Sequence, residues 1–70
     1  MKKTFRFKIE YNNEQYIAIY ECGFAPMWAI YKGDRKNAKN YVKGYQAFGD
    51  TFLPSQVKEK FINYMRDKTR

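Results

Sequence analysis

Apolar and polar side chains alternate without a break across residues 3–11, with Phe5, Phe7, Ile9 and Tyr11 on one side and Thr4, Arg6, Lys8 and Glu10 on the other. A period of two is the mark of a half-buried strand. Asn12, Asn13 and Glu14 interrupt the pattern, and asparagine tolerates the left-handed backbone of tight hairpin turns. Residues 15–22 are therefore read as the return strand. Gly23 and Pro26 close that strand, and residues 27–32 form a third, with Pro26 confined to its start or to a sheet edge. Residues 33–40, GDRKNAKN, are polar and cationic. Two readings compete beyond them. Residues 41–48 hold a valine and three aromatics, as a fourth strand would, yet Ala38, Tyr41, Val42 and Tyr45 also fall at helical spacing behind Asp34, a good N-cap. The strand is the preferred reading. The last element is a helix over residues 54–67: Pro54 suits its first turn, and Val57, Phe61, Tyr64 and Met65 recur at spacings of three and four. Glu59, Lys60, Asn63, Arg66 and Asp67 fall on its other side.

The pattern thus predicts one α+β domain, a small antiparallel β-meander of three to four strands packed against one C-terminal amphipathic helix. Strict alternation sends Phe5, Phe7, Ile9, Ile17, Ile19, Trp28 and Ile30 towards the helix. It sends Arg6, Lys8, Tyr16, Tyr20 and Tyr31 to the opposite face.

Composition sharpens this picture. A 70-residue chain buries only about 60% of the surface that it exposes when unfolded. It has one leucine, Leu53, against seven tyrosines, six phenylalanines and Trp28. Rings must therefore fill the core, each burying roughly 150–250 Å². The lone Cys22 forms no internal disulfide, and a secreted scaffold of this size relies on several, so a cytoplasmic setting is expected. Lys2 and Lys3 are followed by alternation instead of the apolar run of a signal peptide. The longest apolar run, residues 24–31, is too short to span a membrane.

Catalytic parts are missing. The sequence has no histidine, the commonest general base and metal ligand. Cys22 has no base to activate it, and the seven carboxylates are scattered singly. The four glycines make neither a dinucleotide fingerprint nor a P-loop. The expectation is a protein that is not an enzyme and needs no metal or cofactor.

Charge points to binding. Fourteen Lys and Arg against seven Asp and Glu give a net charge of +7, which attracts polyanions and rules out an acidic mimic of DNA. Residues 32–43 supply more than half of the excess through Lys32, Arg35, Lys36, Lys39 and Lys43 against the single acid Asp34. Such a segment can follow a phosphate backbone without reading bases. With Tyr16, Tyr20 and Tyr31 beside Arg6 and Lys8 on one open face, bases would stack while cations met phosphates. Two functions follow as expectations. One is a nucleic-acid-binding domain, favouring single-stranded DNA or RNA over duplex. The alternative is a domain that binds an acidic protein surface, such as an inhibitor or regulator from a phage or mobile element, for example an anti-defence protein acting on a host nucleic-acid enzyme. The basic residues of the C-terminal stretch, Lys58, Lys60, Arg66, Lys68 and Arg70, are read with a core-packing helix and not as a membrane anchor.

Overall fold

The structure is a computed structural model that describes residues 5–22 and 24–68. Four antiparallel strands, β1 (Arg6–Tyr11), β2 (Glu14–Cys22), β3 (Pro26–Lys32) and β4 (Tyr41–Gln46), lie in the order β1-β2-β3-β4, and helix α1 (Pro54–Lys68) packs on one face. This is the α+β meander expected from the pattern. The start of the first strand expected at Lys3 lies outside the described residues. Residues 41–46 are a strand, preceded by one 3-10 turn over Ala38–Asn40, so the helical reading behind Asp34 gives way. Pro26 opens β3 and Pro54 opens α1, the positions where a missing N–H and a fixed φ cost least.

The first hairpin decides the faces. Asn12 and Asn13 have φ values of 55° and 66°, the left-handed pair that a two-residue turn with the sheet's own twist demands. Tyr11 therefore pairs with Glu14, Ile9 with Tyr16 and Phe7 with Ala18. Counting Glu14 into the turn, as the interruption at residues 12–14 suggests, pairs Tyr11 with residue 15. One residue of register inverts a strand. Tyr16 and Tyr20, expected on the open face, point towards α1 instead. Ile17 and Ile19, expected under the helix, lie on the far side. Phe7, Ile9, Trp28 and Ile30 stay where the pattern put them, as do Arg6, Lys8 and Tyr31, which share the register rows of Ile19 and Ile17.

The main core forms where Val57 and Phe61 of α1 meet Ile9, Tyr16, Ala18, Trp28 and Ile30. Phe61 and Tyr16 meet edge to face, ring centres 5.1 Å apart, the arrangement that ring quadrupoles favour. A second buried group, Ile17, Ile19, Ala29 and Tyr31, occupies the face without a helix. The connection of residues 33–40 folds back over it. Lys32 stands opposite Tyr16, so Glu21 lies five residues, roughly 16 Å, further along β2. Lys36 nevertheless reaches Glu21 at 2.6 Å, which requires the connection to run back along the sheet.

A bulge ends the regular pairing of β4: Ile30 pairs with Lys43 but Tyr31 with Tyr41, leaving Val42 as the extra residue. Tyr41 consequently packs on Tyr31, ring centres 5.7 Å apart. Val42 and Lys43 both turn towards α1. Gly44 is the place where Tyr41 folds over β4, for a Cβ there would stand 2.5 Å from the Tyr41 hydroxyl and 2.9 Å from Met27 Cε.

Candidate interaction surfaces

The cations of residues 32–43 are not equivalent. Lys32 is paired with Glu14 and Lys36 with Glu21, each at 2.6 Å. The hydrogen bonds and attraction of those carboxylates hold both ammonium groups above the ordinary lysine range. Arg35 and Lys39 are exposed and make no ion pair among the described residues. Lys43 is half-buried on the helix side, 5.4 Å from the centre of the Tyr45 ring and 5.0 Å from that of Tyr64.

The expected stacking platform does not assemble. Tyr16 is buried against Phe61, Tyr20 is half-buried against Trp28, and Tyr31 is buried on the other face. Burial raises the phenol pKa of both Tyr16 and Tyr31, helped by Glu14 beside the first and Glu21 beside the second. Arg6 and Lys8 remain exposed on the strap-covered face. They have no row of rings beside them. The connection of residues 33–40 therefore acts as a cover, and the expected row of Tyr16, Tyr20 and Tyr31 is not displayed on that sheet.

A different surface is prominent at the end of the sheet where β1 begins and β4 finishes. Trp28 is its buried floor. Phe7 and Tyr20 pack edge to face on the Trp28 ring at 5.4 and 5.3 Å, and the indole N–H donates to the Phe52 carbonyl at 3.3 Å. Above it an open groove of about 450 Å³ is lined by Phe5, Tyr20, Trp28, Phe52, Leu53 and Pro54. Phe5 belongs to the helix side by alternation, yet it stays exposed beside Tyr20, ring centres 6.2 Å apart. Phe5, Phe48, Phe52 and Leu53 are 58%, 57%, 56% and 51% exposed, and Phe24 in the turn between β2 and β3 is fully exposed at the same end.

The segment that presents these side chains is braced. The Thr51 hydroxyl lies 2.5 Å from the Gln46 carbonyl and 3.1 Å from that of Phe48. Asp50 pairs with Lys60 of α1 at 2.8 Å, and this ammonium holds the Asp50 carboxyl below its ordinary range. The Leu53 N–H donates to the Gln56 side chain at 2.9 Å, while the Leu53 carbonyl accepts from the backbone of Gln56 and Val57. Apolar groups are thus held at the surface by polar contacts beneath them. Sequence reasoning assigned nearly every ring to the core or to the open sheet and missed this end. The available signal was Phe48, Phe52 and Leu53 crowded into a connection where Gly49 and Asp50 already break both periodicities.

Among the described residues no group of three acidic or thiol side chains is placed to hold a metal, and no helix is long and apolar enough to cross a membrane. In comparisons with known proteins, no family model, curated protein or solved structure matches the chain.

Proposed function

We propose that this chain is a non-enzymatic binding domain that engages another protein through the apolar end of its sheet. The observation that carries the reading is the groove over Trp28, walled by Phe5, Phe52 and Leu53, each more than half exposed. A water-exposed apolar patch on a small domain marks a contact surface, and aromatic anchors around a pre-formed pocket are the usual centre of such contacts. Bracing of residues 47–53 keeps the rings in place before a partner arrives, which lowers the ordering cost of binding.

Charge supports an acidic partner. The molecule carries +7, Arg6 follows Phe5, and Lys58 stands in the first turns of α1. Two such molecules repel each other, whereas an apolar segment flanked by acidic residues is drawn in. An inhibitor or regulator that acts by occupying its partner's surface fits this display. The absence of histidine and the single, lysine-paired placement of Glu14, Glu21 and Asp50 favour binding over catalysis.

The test is affinity capture from the cells that make the protein, run side by side with tagged wild type and the double variant Phe52→Glu, Leu53→Asp, with light scattering of each protein alone. A stoichiometric partner held by the wild type and lost by the variant is expected, with both proteins monomeric. Retention of the same partner by the variant would move the surface elsewhere. A wild-type dimer that the variant abolishes would replace the foreign partner with a second copy.

A further inference from the structure

The lysines fall into two kinds. Lys32, Lys36 and Lys60 are each bound to a carboxylate at 2.6–2.8 Å. Lys43 and Lys68 instead converge on one ring: their ammonium nitrogens lie 5.0 and 5.9 Å from the centre of Tyr64, and Lys43 also sits 5.4 Å from Tyr45. Neither makes an ion pair among the described residues. A cation–π contact fixes an ammonium group through the ring quadrupole and leaves most of its N–H donors unused. Two pre-positioned cations with donors to spare are a receptor for anions. Their common ring limits their separation to about 11 Å, close enough for both to meet one phosphate backbone.

Lys39, in the 3-10 turn before β4, and Arg35, both exposed and without an ion pair among the described residues, belong instead to the connection over the face without a helix. The acid nearest in sequence to Lys43 or Lys68 is Asp67, beside Lys68, which leaves the pair with an excess of positive charge. Tyr64 faces these lysines and the Phe61 ring, which leaves it no role as a base-stacking platform.

We propose that Lys43 and Lys68, poised around Tyr64, form a site for the phosphate backbone of nucleic acid, read by charge and without base specificity. The site is separate from the apolar end, so it stands or falls independently of the protein-binding reading. Its cations come from β4 and the last turn of α1, a pair that no single stretch of sequence displays.

Fluorescence anisotropy with a labelled oligothymidylate, a mixed-sequence single strand and a duplex tests it between about 50 and 200 mM salt. The wild type is expected to bind the two single strands equally and to lose affinity steeply with salt. The double variant Lys43→Gln, Lys68→Gln should bind about tenfold more weakly at the lowest salt and flatten the log–log salt slope by about 1.4 on single strands, from roughly 0.7 per lost phosphate contact. Lys43→Arg, Lys68→Arg should restore both. Inorganic polyphosphate at equal phosphate concentration should displace the oligonucleotide. Unchanged slope and affinity in the Gln variant would overturn the site, as would failure of polyphosphate to compete. Lys68→Gln alone, an exposed change in the last helical turn, should give about half the slope change even if the Lys43 variants fold poorly.

Discussion

Two groups of aromatic residues are put to opposite uses in this small fold. In the seam between sheet and helix, Tyr16 and Phe61 are buried against each other, and Trp28 is enclosed by Phe7 and Tyr20. At the end of the sheet, Phe5, Phe48, Phe52 and Leu53 stay more than half exposed, held there by the hydrogen bonds of Thr51 and Leu53 and the Asp50–Lys60 pair. Composition does not separate the two groups. What separates them is the reach of α1: rings on the helix side within its length are buried, and rings beyond its first turn are displayed. The seam supplies stability and the end supplies a surface.

The contrast can be broken at its strongest point first. Phe61→Ala removes a fully buried ring from the seam and should cost about 3–5 kcal/mol, read as a fall in the urea midpoint. A loss below 1 kcal/mol would mean that α1 does not hold the core. Asn13→Ala, at φ 66°, should cost about 1 kcal/mol because alanine is strained in the left-handed region, while Asn13→Gly should cost less. Equal effects of the two would contradict the turn geometry that sets the faces. A smaller, pH-dependent effect concerns the brace. The Asp50 carboxyl is held below its ordinary value by Lys60, so the stability it contributes is present above the unfolded-state value near 4 and is lost as pH falls through the lower folded one. The difference in melting temperature between wild type and Asp50→Asn should therefore shrink from about pH 5 to pH 2 and also shrink with added salt. A difference that persists at pH 2 would show that the pair is not its source.

Much of the fold was legible because it rests on local signals. Alternation at residues 3–11, the Asn12–Asn13 pair, Pro26, Pro54 and the three-four spacing of Val57, Phe61 and Tyr64 each act within a few residues. The faces of β2 were not legible, since they depend on whether Glu14 belongs to the turn or to the ladder, and one residue inverts the strand. Nor was the cover formed by residues 33–40, which depends on an ion pair between residues 15 positions apart, Glu21 and Lys36. The cationic segment was visible, but its division was not. Lys32 and Lys36 are committed to carboxylates, while the bulge at Val42 carries Lys43 to the helix side, where Lys68 joins it over Tyr64. The apolar end was missed because each of its residues, taken singly, has the composition of a core.

The claim that these exposed apolar side chains are surplus to folding is tested most directly by chemical denaturation of Phe52→Glu, Leu53→Asp beside the wild type. Both side chains are more than half exposed, and their backbone contacts, the Phe52 carbonyl with Trp28 and the Leu53 N–H with Gln56, survive the change. The two unfolding free energies should agree within about 0.5 kcal/mol, as expected of surface substitutions. A loss of about 2 kcal/mol or more would place Phe52 and Leu53 in the core and contradict the reading of this end as a binding surface.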